Sequence, residues 1–280
     1  MPCGRSATVS GLCSCYFAGL SELMGRIVKK RLLCTTAIAA LIAAPALAAP
    51  PVPFTWTGFY VGGNIGYSWG NGFASYSEPA FSCCSMPTSF SGSQSLNGVI
   101  GGPEIGYNWQ VNPITVVGLE TDFQWSGEKG SNSFAAPYCF DCEGPSNGVI
   151  NGTLNTNILW FGTVRARAGI VTPNIFAYLT GGLAYGKIST SGSVSDTYQG
   201  SPYAMWSFGG SAIKVGGTVG AGIEGIVPFA NEWTWKVEYL FIDFGTVSGN
   251  GYDTDFGGPF SWSTSVTDNI VRFGLNRKFP

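Results

Sequence analysis

The chain has 280 residues with 11% charged, 14% aromatic, 41 glycines and a formal net charge of −2. A soluble domain ordinarily has about a quarter of its residues charged, so this chain is unusually poor in charge. The absence of a basic excess argues against nucleic-acid binding. The absence of histidine removes the commonest general base and metal ligand, which argues against an enzyme.

The N-terminal part of the chain has the pattern of a secretory signal peptide. A basic segment at 26–31 precedes an apolar run at 32–44, and small residues form a cleavage site that ends at Ala48. We predict cleavage near Ala48 and expect Met24 to be the true start of translation. The chain then divides into an upstream extension (1–23), the signal peptide (24–48) and a main domain (49–280).

Eight segments of the main domain alternate apolar and polar residues with a period of two, which is typical of β-strands. In the first segment Phe59, Val61 and Ile65 share one face, whereas Gly62 and Asn64 share the other. No helical periodicity intervenes, and no apolar run after the leader is long enough for a membrane-spanning helix. The segments are 57–70, 97–111, 114–125, 157–171, 174–188, 213–227, 232–245 and 268–279.

Short and long connections alternate between these segments. The short ones are 110–114, 171–174 and 228–232, and the long ones are 70–96, 126–156, 189–212 and 246–264. A membrane barrel has this asymmetry, because tight periplasmic turns alternate with long external loops. The sequence therefore predicts an all-β fold, an eight-stranded antiparallel up-and-down transmembrane β-barrel with short periplasmic turns and four long external loops. The alternative is a secreted β-sandwich, which does not require such alternation.

Aromatic residues cluster near the ends of the predicted strands. They are Trp56, Trp69, Trp109, Trp125, Trp160, Trp233, Trp235 and Tyr239. Membrane barrels carry aromatic girdles at both lipid–water interfaces, whereas core packing predicts aromatics at strand centres. Pro103 lies within a predicted strand, where it removes a backbone donor, so a β-bulge is expected there.

Ten charged residues lie on the polar faces of the predicted strands, five basic and five acidic. They are Glu104, Glu120, Asp122, Arg165, Arg167, Lys214, Glu224, Lys236, Glu238 and Arg272. Charges sealed in a narrow barrel have to be paired, because an uncompensated buried ion is costly. We predict that Arg165 and Arg167 point inward and pair with carboxylates such as Glu120 and Asp122. An eight-stranded barrel is filled by side chains, whereas aqueous porins have about 16–18 strands, so a wide pore is not expected.

Four cysteines lie in the main domain, all of them in predicted long loops. They are Cys83, Cys84, Cys139 and Cys142. An even number of cysteines in an oxidising compartment indicates disulfides. Adjacent cysteines rarely pair with each other, so bridges between the two loops are predicted. A thioredoxin-type redox role for Cys139 and Cys142 and a four-cysteine zinc site are the alternatives.

Several segments together resemble a known family, among them FTWTGFYVGGNIGYSWG, GGPEIGYNWQ, GLETDFQWSG and NIVRFGLNRKF. Over residues 52–279 the chain resembles the alphaproteobacterial outer-membrane β-barrel proteins. This OmpA-like, opacity-type porin family includes immunogenic outer-membrane proteins of Rhizobiales. The resemblance implies an eight-stranded barrel in the outer membrane of a Gram-negative bacterium. It also implies roles in envelope integrity and surface exposure and, in some relatives, weak pore activity or haem binding.

The resemblance also implies partners. These are outer-membrane lipid and lipopolysaccharide, periplasmic chaperones, the barrel-assembly machinery, and host or environmental ligands at the loops. Members of the family end on an aromatic residue that the assembly machinery reads, and Phe279 holds that place here. Pro280 follows it, and Arg277 stands where a second aromatic is usual.

The predicted function is that of an integral outer-membrane protein with a structural, envelope and surface-antigen role. A narrow or gated porin for small solutes is one alternative. A surface receptor or adhesin that binds a ligand such as haem through its loops is another. No catalytic set, cofactor or metal motif is recognised in the sequence, so an enzyme is not expected.

Overall fold

The computed structural model describes residues 54–77, 89–138, 148–253 and 258–279. Within these ranges the chain forms β1 (Gly58–Ser77), β2 (Ser89–Asn112), β3 (Thr115–Ser126), β4 (Lys129–Tyr138), β5 (Gly148–Val171), β6 (Ile175–Tyr198), β7 (Ser201–Ile226), β8 (Trp233–Asp253) and β9 (Gly258–Phe279). No helix in the described ranges is long and apolar enough to cross a membrane. The predicted upstream extension and signal peptide lie outside the described residues.

The antiparallel sheet closes on itself. β1 pairs with β9 from Phe59–Phe279 to Ser77–Ser261, and it pairs with β2 on its other side. β3 and β4 occupy a single place in the ring, because each lies between β2 and β5 and only residues 127 and 128 separate them. The ring therefore has the eight places that the sequence predicted, and the predicted fold class is confirmed.

The strands are longer than the alternating segments indicated. β5 has 24 residues, or about 80 Å at roughly 3.3 Å per residue, whereas a membrane needs only about 9–11 residues. Much of the sequence assigned to long loops continues the strands instead. The third predicted long loop, 189–212, is reduced to a two-residue hairpin turn at Gln199 and Gly200, whose φ angles of 48° and 79° are both positive, as this type of turn requires.

The two ends of the barrel differ in how the strands pair. We call the end with the short turns the turn end and the opposite end the loop end. Toward the loop end, β2 and β4 share only the pair Asn97–Lys129, and the pairing of β7 with β8 stops at Gly217–Asp243. Beyond these pairs the described strands form two groups, β8–β9–β1–β2 and β4–β5–β6–β7. We call this part the extension, and the two lines along which backbone pairing is interrupted the β2/β4 seam and the β7/β8 seam.

The side chains that face inward differ between the two parts. In the turn-end half, large apolar side chains point outward, as at Leu179 and Ile170, which are 71% and 64% exposed. In the extension, apolar side chains point inward and form a buried core. This core includes Tyr76, Leu96, Ile158, Ile188, Val247, Phe260, Trp262 and Val266. The same strands thus bury polar residues in one half and apolar residues in the other.

Two details of the turn-end half differ from the sequence prediction. Trp56 was expected in a girdle, but it is 3% exposed and packs inside against Phe176, with ring centroids 5.4 Å apart. Trp69 and Trp125 do point outward, with 44% and 63% exposure. The bulge expected at Pro103 is absent, because the register of β2 with β1 and β3 continues past that residue. The irregularity of β2 lies at its turn end instead.

Candidate functional site: an ion cluster inside the barrel

Charged side chains from six strands meet inside the turn-end half. They are Glu104 on β2, Glu120 and Asp122 on β3, Arg165 and Arg167 on β5, Glu224 on β7, Lys236 and Glu238 on β8, and Arg272 on β9, each at most 4% exposed. We call this group the ion cluster. Strand register puts opposite charges side by side, since Glu120 pairs with Arg165 across β3 and β5. Glu238 and Arg272 likewise pair across β8 and β9.

Glu120 is the centre of the cluster, because all four cations contact it. Its carboxylate oxygens lie 3.2 Å from Nη1 of Arg167, 2.9 Å from Nζ of Lys236 and 3.4 Å from Nη2 of Arg272. The fourth cation is Arg165, through Nη2. Removing one partner of a buried ionic network is strongly destabilising, because the remaining charges lose their compensation. Loss of Glu120 therefore deprives more cations of an ionic contact than loss of any other carboxylate in the cluster.

A second set of contacts joins β3, β5, β8 and β9. Nη1 of Arg165 lies 2.9 Å from Glu238, and its Nη2 lies 3.2 Å from Asp122. Arg272 contacts the same two carboxylates, at 2.5 Å from Glu238 and 2.9 Å from Asp122. The two guanidinium groups are planar, so each bridges several carboxylates at once. The predicted pairing of Arg165 with Glu120 and Asp122 is present in the structure.

Arg167 lies one step nearer the turn end and between aromatic rings. Its Nη1 is 3.0 Å from Glu224, and its Nε donates a hydrogen bond of 2.9 Å to Asn108. The guanidinium carbon lies 4.6 Å from the ring centroid of Tyr60 and 5.1 Å from that of Tyr178. Ionic and cation–π contacts therefore hold this side chain across the lumen. Because Arg165 and Arg167 are two residues apart on β5, both side chains lie on the inward face of that strand.

Uncharged donors complete the cluster, and the sequence analysis did not single them out as site residues. The hydroxyl of Tyr60 donates to Glu120 at 2.6 Å, that of Tyr178 to Glu238 at 2.9 Å, and that of Thr163 to Asp122 at 2.8 Å. The strand alternation already put Tyr60 on the inward face. The alternation of inward and outward residues is therefore the signal that could have identified Tyr60 as a site residue.

Lys214 is the one predicted member that the structure does not bring into the cluster. It lies on β7 beyond the last pair with β8, is half-buried and forms no ion pair with any described residue. The lysine of the cluster is instead Lys236, which contacts Glu104 at 2.8 Å. Without Lys214 the cluster holds four cations and five carboxylates, so the predicted balance of five and five is wrong. Alternation predicts which way a residue faces, but not its height in the barrel.

A second group of buried acids lies outside the ion cluster, toward the loop end. Glu128, between β3 and β4, accepts a hydrogen bond of 3.0 Å from Ser126, and Ser68 donates to Asp268. Burial, with the charge of Asp268 as the next cause, raises the pKa of Glu128 to about 8. Neither acid pairs with a cation among the described residues. Neither acid was predicted as a site residue: Glu128 falls in the predicted loop 126–156, and Asp268 is the first residue of the last predicted strand.

The remaining predicted residues concern assembly and disulfides. Phe279 ends β9 and pairs with Phe59 on β1, with ring centroids 6.3 Å apart. Its role as an assembly signal stays a prediction. Cys83, Cys84, Cys139 and Cys142 lie outside the described residues, so the disulfide bridges also stay a prediction.

Comparisons with known proteins agree with this architecture. A family model described as outer membrane protein beta-barrel domain matches residues 34–279. The chain is 38% identical over 237 residues to the 31 kDa outer-membrane immunogenic protein of Brucella melitensis, covering 83% of this chain and 87% of that protein. It is 29% identical over 225 residues to the 22 kDa outer membrane protein of Rhizobium leguminosarum bv. viciae, covering 80% and 79%. Among solved structures, Ail, the attachment invasion locus protein of Yersinia pestis, is 13% identical with a TM-score of 0.28, covering 76% of this chain and 98% of that chain.

Proposed function

Since this chain belongs to the outer membrane protein beta-barrel domain family, we propose that it is a closed anchor that presents its extension at the cell surface. The chain is an outer-membrane β-barrel protein, and its relatives include proteins named for their immunogenicity. In barrels of this kind the short turns face the periplasm, so the turn end is periplasmic and the loop end external. The proposed role is structural and involves no catalysis.

The ion cluster is the observation that carries this proposal. Its paired side chains are at most 3% exposed, and they come from six of the eight places in the ring. Below it, Trp56 and Phe176 form a second, apolar layer at the turn end. Side chains that fill a narrow barrel leave no continuous aqueous path. Outer-membrane lipid and lipopolysaccharide are the proposed partners of the outward apolar side chains.

Conductance of the purified protein in a planar lipid bilayer tests the closed state. We expect no steady channels from the wild type. Steady open channels would contradict the closed anchor, and brief gated openings would support the narrow-porin alternative instead. A gel of unboiled and boiled samples checks that the protein under test is folded, because intact barrels migrate faster before boiling.

Two arginine variants connect the conductance to the ion cluster. Arg167→Ala removes the side chain that lies between Tyr60 and Tyr178, and we expect ion flux to appear. Arg277→Ala is the matched control, because Arg277 lies at the turn end in an exposed ion pair with Glu232. Equal conductance of the two variants would show that the cluster does not seal the lumen.

A further inference from the structure

The four described residues that precede β1, residues 54–57, do not continue the barrel wall but turn into its turn-end mouth. Trp56 is 3% exposed and belongs to a buried apolar cluster with residues of β3, β5 and β6. Its ring centroid lies 5.4 Å from that of Phe176 on β6. In the ring of eight places, β6 lies four places from β1. Residues 54–57 therefore cross the lumen to the opposite wall.

Contacts with the two strands beside β1 hold this segment in the mouth. On β2, the side chain of Gln110 accepts a hydrogen bond of 3.1 Å from the backbone N–H of Trp56. The backbone N–H of Gln110 donates to the hydroxyl of Thr57 at 2.8 Å. On β9, the ammonium group of Lys278 donates to the backbone carbonyl of Thr55. The segment is thus attached on both sides of the strand from which it comes.

Gly58 is the residue at which the segment leaves β1. Its φ angle of 141° is positive, a conformation that residues with a side chain rarely adopt. A Cβ atom added there would lie 2.5 Å from the backbone oxygen of Phe279 on β9. Glycine therefore allows the chain to turn into the mouth while β1 and β9 stay paired.

The segment also supports the ion cluster. The guanidinium carbon of Arg167 lies 5.4 Å from the ring centroid of Phe176, and Trp56 packs against the same ring. A continuous series of contacts therefore runs from Trp56 through Phe176 to Arg167. Ring contacts and cation–π contacts depend on distance and orientation, so displacement of Trp56 is expected to displace Arg167 as well.

We propose that residues 54–57 form a plug that closes the periplasmic mouth of the barrel and, through Phe176, positions Arg167 in the ion cluster. The plug and Arg167 hold each other in place, so loss of either admits water and small ions to the lumen. The periplasmic placement and the closed resting state rest on the proposed function. The plug adds that closure depends on a segment outside the barrel wall, which can leave the lumen without breaking a strand pair.

Conductance in a planar lipid bilayer tests the closure. We expect Trp56→Ala to pass about tenfold more ion current than Trp69→Ala, because a filled narrow lumen excludes ions. Trp69→Ala is the matched control, since Trp69 points outward from β1 and is 44% exposed. Trp56→Phe keeps a ring against Phe176 and is expected to restore a silent bilayer. A silent Trp56→Ala protein that still migrates faster before boiling would overturn the plug.

The position of Trp56 is tested separately by ¹⁹F NMR of protein that contains 5-fluorotryptophan, in lipid nanodiscs. The Trp56 signal, identified by its loss in Trp56→Phe, should resist broadening by a soluble gadolinium chelate. Gly58→Ala keeps the Trp56 ring but hinders the turn into the mouth, so we expect several-fold stronger broadening. Gly63→Ala is the matched control on β1, because its Cβ meets only an ordinary contact at 3.7 Å. A Trp56 signal that broadens as strongly in the wild type as in Gly58→Ala contradicts the plug.

The conductance measurements separate the two proposals. Steady channels from the wild type refute the closed anchor. A silent wild type, together with a conducting Arg167→Ala and a silent Trp56→Ala, refutes only the plug.

Discussion

The turn-end half and the extension are built from the same strands, yet their inner and outer faces are reversed in polarity. Along β5, Arg167 faces the lumen and Ile170 faces outward in the turn-end half, whereas Ile158 faces inward and Asn155 outward in the extension. The irregularity of β5 lies between Ile158 and Trp160, at the boundary of the two parts. A bulge shifts the alternation by one residue, so it changes which positions face inward.

The solvent outside explains the reversal. Lipid surrounds the turn-end half, so apolar side chains lie outward and polar groups are satisfied within. Water surrounds the extension, so its apolar side chains lie inward as in a soluble protein. The extension therefore resembles a β-sandwich, the alternative fold for the whole chain, in that its strand groups enclose a buried apolar core. Paired ions fill the interior of the turn-end half, whereas buried apolar side chains fill the interior of the extension.

The largest effect is expected from the ion cluster. Glu120→Gln removes the charge that contacts four cations, and we expect it to lower the free energy of unfolding by roughly 3–5 kcal/mol or to prevent assembly. Urea unfolding in lipid vesicles and the shift between unboiled and boiled samples measure it. The control is Glu232→Gln, whose exposed ion pair with Arg277 contributes about 0–1 kcal/mol. A Glu120→Gln barrel as stable as this control would mean that the cluster does not stabilise the turn-end half.

A charge on the outer face distinguishes lipid from water as the surrounding solvent. Leu179→Arg places a cation on the lipid-facing wall and is expected to cost roughly 2–4 kcal/mol in vesicles. Ser191→Arg places the same side chain on the outer face of the extension, on the same strand, where we expect a change within about 0.5 kcal/mol. Equal losses of unfolding free energy at the two positions would contradict a boundary between lipid and water at this height of the barrel.

The smallest effect concerns Glu128. Its pKa is about 8 in the folded protein, above the ordinary value of 4.5, so between these two pH values the unfolded chain loses a proton that the folded chain keeps. The free energy of unfolding is therefore highest below pH ~4.5, falls as the pH rises to ~8 and levels off above it. Thermal unfolding from pH 4 to 9 should show this decline in the wild type and a weaker one in Glu128→Gln. A thermal unfolding midpoint of the wild type that rises from pH 4 to 9 would contradict a raised pKa at Glu128.

The membrane-spanning strands were predictable, whereas the extension was not. Strict alternation of apolar and polar residues identifies a strand in lipid, because every outward position must be apolar. In the extension many of the outward positions are serine, threonine or asparagine, as in the exposed Ser89, Ser91 and Ser93 of β2. That composition is also typical of loops, so the sequence analysis assigned loops there. Pairing across the sheet, which composition does not reveal, decided in favour of strands.

The candidate site shows the same division. The sequence predicted that Arg165 and Arg167 face inward and are paired, because unpaired ions are not stable in a narrow lumen. It did not identify Glu120 as the residue that contacts four cations, and it included Lys214 wrongly. Heights inside a barrel depend on how far the strands are staggered around the ring. That stagger is a property of the closed sheet and not of any one segment.

The sequence by itself determined that the chain spans a membrane as a small barrel, and which residues face its lumen in the spanning part. The reason is local, since each strand must satisfy lipid on one side at every second residue. Only the tertiary structure decided which ions meet, where the alternation shifts and where two pairs of strands part above the membrane. These features depend on register between distant segments, which is fixed when the ring closes.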